Sequence, residues 1–326
     1  MVEFVRLSLG SAMALGLEEG TPPDYFRTLF IMTYHEGGCG ANCAFCPQAV
    51  DSDSDPKLLS RIGWPKYSFD DVMEKLENFN QFDRICIQSL NYPEVVNHVR
   101  KIATRIRSIT QVPLSVCMHP VSKEEMQSLK DTGISNIGIA IDACTQSLFD
   151  EIKGTKRDGP YTWSGHINAI LQAQSIFGRD KVTTHLIVGL GETEQDAAQF
   201  LLDMKEIGVR VGLFAFTNIR GTGMENIPQP SLAVYRRIQI LRNLLIRGNI
   251  TSDQVSFDEE GKLEFNISKK ELRESLSSGS AFRVTGCPGC NRPFYNERPR
   301  GPMYNYPRPL KNDEIEQALI EAGLVS

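Results

Sequence analysis

Apolar residues along this chain of 326 residues repeat with two periods, and the two alternate. Short apolar runs rich in β-branched residues read as strands at 28–33, 84–88, 114–118, 136–141, 182–188 and 211–217. Between them, apolar residues recur every three to four positions, the spacing of amphipathic helices, at 68–79, 92–109, 122–132, 164–177 and 194–207. Ser68 ahead of Asp70 and Asp71, and Ser122 ahead of Glu124, are helix-start signals. Strand–helix–strand alternation of this kind gives parallel strands joined by crossover helices.

Weaker elements flank this series. A short N-terminal helix is expected at 8–17. A helix at 231–247, a hairpin at 254–266, a helix at 269–277, a strand at 281–285 and a last helix at 313–322 follow the sixth strand. Six clear strands and two weaker ones predict an α/β fold, a (β/α)8 barrel or a partial TIM-type barrel. Residues 1–27 read as an N-terminal extension, 28–285 as the barrel and 286–326 as a C-terminal segment. That segment is rich in Pro, Gly and Asn, yet Phe294, Tyr295, Met303, Tyr304 and Tyr306 make it too apolar for a solvated linker. It is expected to be ordered, as a lid or wrap.

Composition changes this picture little. Hydrophobic residues make up 41%, charged residues 23%, and the net charge is −5, the balance of a soluble globular protein. Mild acidity without a polybasic patch argues against a nucleic-acid partner. The sequence has no run of about 18 apolar residues, so no membrane span is expected. Eight cysteines without a signal segment point to free thiols in a reducing cytoplasm.

The candidate chemistry lies in those cysteines. Cys39, Cys43 and Cys46 stand as C-x3-C-x2-C in the stretch Gly37-Gly38-Cys39-Gly40-Ala41-Asn42-Cys43-Ala44-Phe45-Cys46-Pro47, just after the first strand. In a barrel of this type, chemistry collects at the C-terminal ends of strands. Three thiolates this close suit an iron–sulfur cube with one iron left open to an exogenous ligand. A zinc site with His35 as fourth ligand is the alternative, though zinc sites are usually built from paired cysteine knuckles.

Four more cysteines fall where strands should end. Cys86 and Cys117 alternate with β-branched residues on the second and third strands, and Cys287 and Cys290 form C-x2-C after the last strand. Adjacent strands and a closing segment could carry all four to one cavity, enough for a second cluster. The competing reading is a zinc or redox C-x2-C pair with two unrelated core cysteines. Cys144 is left over and reads as structural.

C-x3-C-x2-C with an aromatic residue, Phe45, before the third cysteine resembles the signature of the radical S-adenosylmethionine (SAM) superfamily. The resemblance implies that Cys39, Cys43 and Cys46 hold a [4Fe–4S] cluster. Its open iron is chelated by the amino and carboxylate groups of SAM, which is cleaved to a 5′-deoxyadenosyl radical. It further implies Phe45, Asp142, Ile187, Gly189 and Glu192 as SAM contacts, with Asp142 on the ribose and the last three packed against adenine. His185 stands where that pattern has its first glycine. Arg157 and His166 are candidates for the SAM carboxylate.

Within that superfamily the chain resembles biotin synthases, which carry cluster cysteines on the second, third and fifth strands and an arginine on the eighth. Cys86 and Cys117 match the first two places, but Thr183 stands at the third, and Gly286-Cys287 near the arginine. Ala140 and Phe214 stand where biotin synthase has asparagines for a polar ureido ring. Leaving such a ring unpaired costs about 1–3 kcal/mol per bond. A hydrocarbon chain suits these two residues better. The run Cys287-Pro288-Gly289-Cys290-Asn291-Arg292-Pro293 resembles biotin-synthase-like proteins that act in pairs as lipoyl synthase. That resemblance implies a second Fe–S cluster, of the [4Fe–4S] type, as sulfur donor to an octanoyl chain on a lipoyl carrier domain or H-protein. It also implies a second lipoyl synthase protein as partner and a ferredoxin or flavodoxin as electron donor. Arg292, Arg298, Arg300 and Tyr304 of the tail are the expected carrier contacts. The alternatives are biotin synthase acting on dethiobiotin, a radical SAM mutase or maturase without sulfur chemistry, and a two-cluster electron carrier.

Overall fold

Six strands lie parallel and side by side in the computed structural model, which describes residues 2–23, 25–297 and 300–324. They are β2 (Thr28–Thr33), β6 (Arg84–Gln88), β7 (Leu114–Met118), β8 (Asn136–Ile139), β9 (Val182–Val188) and β10 (Arg210–Ala215). Two antiparallel strands extend this sheet, β1 (Phe4–Leu7) against β2 and β5 (Lys66–Ser68) against β1, giving the order β10-β9-β8-β7-β6-β2-β1-β5. A two-residue ladder, β3 (Leu58–Leu59) with β4 (Ile62–Gly63), leads into β5.

The crossover helices cover the outer face. They are α2 (Phe69–Glu77), α3 (Val95–Arg107), α4 (Lys123–Asp131), α5 (Gln146–Ile152), α6 (Trp163–Phe177) and α7 (Glu194–Glu206), with α1 (Leu9–Ala14) before β2 and α8 (Leu232–Arg247) after β10. Their starts obey local chemistry. Ser122 and Glu125 form a capping box on α4, and Thr193 and Asp196 form one on α7. All six residues of β2 are buried, as parallel strands covered on both faces require.

The sheet curves into a partial barrel, and the period of two decides what lines its concave side. Thr28, Phe30 and Met32 share that side of β2, and Arg84, Cys86 and Gln88 share it on β6. On β7 it carries Ser115 and Cys117. Registers set Phe30 beside Cys86 and Cys117 beside Gly138.

The two weaker strands do not close the barrel. The hairpin forms as β11 (Val255–Phe257) with β12 (Leu263–Phe265), apart from the main sheet. Residues 281–285 form no strand: Ser280–Phe282 is a 3-10 turn, and the backbone beyond it pairs with the tail, Val284 N–H to Tyr306 O at 3.1 Å. The link to β10 is a side chain, with the N–H of Leu213 donating to Thr285 Oγ1 at 2.7 Å. The N-terminal segment reads as an extension, yet its residues 4–7 pair with β2, so the boundary at 28 falls inside one sheet.

The tail is packed against the body. Arg236 of α8 donates to the carbonyls of Tyr304 (2.7 Å) and Met303 (2.6 Å). Glu297, buried, accepts the N–H of Asn305 at 2.7 Å. α9 (Lys269–Leu276) and α10 (Asn312–Glu321) complete the chain, and Glu321 pairs with Arg236 at 2.9 Å. Among the described residues no helix is long and apolar enough to cross a membrane.

Candidate active site

The loop after β2 carries Cys39, Cys43 and Cys46 over the open end of the barrel. Gly38 takes a left-handed φ of +72°, which turns the chain into the loop. The loop is pinned on both flanks: Gly40 N–H donates to Asn91 O (2.7 Å), and Ala44 N–H to Ile152 O (2.7 Å). Asn42, buried, donates to Asp51 (2.6 Å) and to Arg157 O (2.7 Å). Two sulfurs accept backbone N–H groups, Cys39 from Asn91 and Cys46 from Gln48, both at 3.4 Å. Burial pushes the Cys43 thiol up to about 12, with Lys153 pulling the other way. Burial also raises Cys46, and Cys43 adds to it. These thiols hold their protons until a cation displaces them.

Cys86, Cys117, Cys287 and Cys290 form a second group of neighbouring thiols. Cys86 is pushed well above the ordinary thiol range, first by burial and then by Cys287, Cys290 and Cys117 around it. Cys117 is raised to about 12, mainly by burial. Ser115 Oγ donates to Cys287 Sγ at 3.7 Å, and Gln88 Nε2 to Cys86 Sγ at 3.0 Å. Gly138 makes room for Cys117, since a Cβ there would lie 3.4 Å from its sulfur and 2.9 Å from Thr183 Oγ1. The C-x2-C turn closes with Cys290 N–H donating to Cys287 O at 2.9 Å. It is tied to the sheet by Arg84 Nε donating to Pro288 O (2.7 Å) and by Thr28 Oγ1 donating to Gly289 O (3.3 Å). Gly286, at φ +153°, approaches Cys290 so closely that a Cβ would lie 3.2 Å from its sulfur.

Two arginines border these thiols. Arg84 is 4% exposed, and its other hydrogen bonds go to neutral oxygens of Ser115 and Asn136. Arg292 lies 4.0 Å over the Phe214 ring, donates to Thr285 O (2.9 Å), and has a buried Nε with no partner. Among the described residues neither forms an ion pair with a carboxylate. Among the same residues, no three His, Cys, Asp or Glu converge as ligands of one metal ion.

A cavity of about 510 Å³ runs from the Cys39–Cys43–Cys46 loop to Cys117; Cys86, Cys287 and Cys290 do not line it. Cys39, Cys43, Cys46, Phe45, Asp142 and Ile187 border it, and so do Cys117, Arg292 and Tyr295. Asp142, at φ +71°, pairs with Lys153 at 2.7 Å, and both side chains are buried. Burial works against the Lys153 charge, but Asp142, Cys43 and Cys117 outweigh it, so its pKa rises. His185 is pushed down to about 4 by burial and then by Arg292, so it is neutral near pH 7. Its Nε2 lies 4.0 Å from Cys117 Sγ.

Not every sequence candidate reaches this cavity. Gly189 and Glu192 shape the turn after β9 instead: Glu192 accepts the N–H groups of Gly189 (2.6 Å) and Leu190 (3.0 Å). Arg157 and His166 do not line it either; His166 is buried between Phe149 and Tyr161. Lys153, absent from the sequence candidates, does. Only a lysine inside a helix-to-turn segment marks it in the sequence, and nothing there shows that it folds back to Asp142. Cys144 is buried and outside both sets. Arg298 lies outside the described residues.

Three free thiols on one loop thus stand at the mouth of a partial parallel barrel, beside a cavity. The sequence matches the Radical SAM superfamily over residues 33–204, and the chain belongs to that superfamily. Membership implies a [4Fe–4S] cluster and SAM, and three half-buried thiols beside a polar-ended cavity fit them. The chain is 24% identical to biotin synthase of Carboxydothermus hydrogenoformans over 245 residues, 74% of this chain and 73% of that one. It is 21% identical to biotin synthase of Cytophaga hutchinsonii over 317 residues, 92% of this chain and 89% of that one. Among solved structures it resembles methylornithine synthase (PylB), with TM-score 0.53, 14% identity, and 95% and 91% of the two chains covered.

Proposed function

We propose that the protein inserts sulfur into unactivated C–H bonds of a protein-bound octanoyl chain, as a lipoyl synthase component. The observation that carries this reading is the meeting of Cys86, Cys117, Cys287 and Cys290 between two arginines that no carboxylate neutralises. A buried cation without an anion is costly. A second cluster with four thiolate ligands carries the negative charge that Arg84 and Arg292 lack.

Cys39, Cys43 and Cys46 would hold the first cluster and Cys86, Cys117, Cys287 and Cys290 the second; when bound, the first with SAM would supply radical chemistry and the second would supply sulfur. The chain's own residues do the rest. Phe45 and Ile187 pack on the cofactor. Lys153 meets a carboxylate, and Asp142 presents its second oxygen to hydroxyls. Phe214, edge-on to His185 at 4.8 Å and to Tyr295 at 5.5 Å, gives the cavity an apolar wall and keeps water from the reacting carbon. Ala140 lines it beside Phe214, so an alkyl chain meets no unpaired amide there. An octanoylated lipoyl carrier or H-protein, a second lipoyl synthase protein, and a ferredoxin or flavodoxin are the partners this reading requires.

Similarity to biotin synthases keeps dethiobiotin as a second substrate reading; Thr183, Ala140 and Phe214 argue against it. A mutase or maturase without sulfur chemistry is a third reading, under which neither octanoyl-lysine peptide nor dethiobiotin is thiolated. Anaerobic reconstitution followed by a thiolation assay separates these. Iron per chain of about eight, falling to about four in Cys287→Ala/Cys290→Ala, supports the proposal. Thiolation of an octanoyl-lysine peptide, with dethiobiotin as the control substrate, then completes it. Four irons in both proteins overturn it.

A further inference from the structure

The cavity does not end at the cysteines. One arm runs away from them, between α1, the β3–β4 hairpin and the tail, where the sheet fails to close between β10 and β5. Its wall is apolar: Leu9 and Met13 of α1, Phe26, Leu59, Ile62 and Phe294. Arg61, Gln48 and Trp64 also border it, and among the described residues the buried Trp64 Nε1 has no hydrogen-bond partner there. Ser8 bonds Ser11 at 2.8 Å, and Ser60 donates to Tyr295 O at 3.5 Å. Leu9 is 38% and Phe294 41% exposed, so two large apolar side chains mark the outer rim.

A compact polar substrate needs a few convergent polar groups for orientation. This arm offers mostly aliphatic and aromatic surface, with Arg61 and Gln48 at its side, in one cavity that reaches Cys117. We propose that the arm seats an unbranched aliphatic acyl chain, which enters from the side of α1. Its reacting carbons lie at the cysteine end, and its head group stays outside Leu9 and Phe294. The identity of that head group, a lysyl amide on a carrier, rests on the sulfur-insertion reading; the arm itself does not.

Burial of each added methylene strengthens binding about fourfold, the equivalent of about 0.8 kcal/mol. The test uses anaerobic, cluster-loaded protein and three probes: the same lysine peptide carrying a butanoyl, hexanoyl or octanoyl group. Binding is followed by calorimetry. Affinity should rise about fourfold per methylene from butanoyl to octanoyl. Leu59→Trp should fill the arm and weaken octanoyl binding at least tenfold while sparing butanoyl. Phe294→Ala, a change at an exposed position that leaves the fold intact, should weaken octanoyl binding severalfold. Equal affinity for the three chain lengths, or wild-type octanoyl binding by both variants, would overturn the proposal. The length series with only four irons per chain would leave the arm standing and remove the sulfur chemistry. Eight irons without the length series would remove the arm alone.

Discussion

Replacing Lys153 by methionine tests whether the polar end of the cavity is a closed ion pair. Lys153 Nζ lies 2.7 Å from Asp142 Oδ2 and 2.5 Å from Ala140 O, with side-chain exposures of 7% and 9% for the pair. Methionine keeps most of the stem and removes the charge, leaving the Asp142 carboxylate buried. His185 Nδ1, 3.9 Å from Asp142 Oδ1, is a poor substitute, because burial and Arg292, both still present in the variant, disfavour its charged form. Breaking a buried pair from one side costs about 3–5 kcal/mol. Removing both charges in Lys153→Met/Asp142→Asn should cost less than either single change, since no charge is then stranded. The assay is urea unfolding of the cluster-free protein at pH 7, extrapolated linearly to water. A loss below about 1 kcal/mol in Lys153→Met, or a double variant as weak as the summed singles, would refute the reasoning.

Three further outcomes follow from the same geometry. Arg84→Met should cost the cluster-free protein within about 1 kcal/mol, because relief of an unpaired charge offsets lost hydrogen bonds. After reconstitution the same variant should fall from about eight irons toward four, and retention of eight contradicts the counter-charge role. Gly138→Ala should force Thr183 and Cys117 apart and lower second-cluster iron, leaving the Cys39–Cys43–Cys46 loop loaded; an unchanged iron count contradicts the close approach read from the 2.9 Å and 3.4 Å contacts. His166 is held down to about 3, mainly by burial and next by Lys153, and donates from Nδ1 to Thr162 O at 3.1 Å. The unfolded chain takes its proton near pH 6.5 and the folded chain only near 3, so stability is lost as pH falls through that window. His166→Phe should flatten this part of the urea-midpoint profile, and an unaltered acid slope counts against it.

Much of the sheet was legible because a parallel strand buried on both faces leaves a dense apolar signature. The segments 28–33, 84–88, 114–118 and 182–188 coincide with β2, β6, β7 and β9. The four-residue β1 and three-residue β5 were not read, since runs that short carry almost no periodicity. The segment 281–285 has strand composition but pairs with Tyr306 instead, because its partner is chosen by where the tail returns.

The C-x3-C-x2-C loop was local information: three thiols within eight residues can meet whatever the rest of the chain does, and the sequence alone decided that chemistry. The meeting of Cys86, Cys117, Cys287 and Cys290 was a matter of topology, because residues 204 positions apart, such as Arg84 and Pro288, touch only when the tail folds under the barrel. Lys153 and the apolar arm were invisible before folding for the same reason. A side chain's type is written in the chain, but its charge partner and the space in front of it belong to neighbours that only the closed structure supplies.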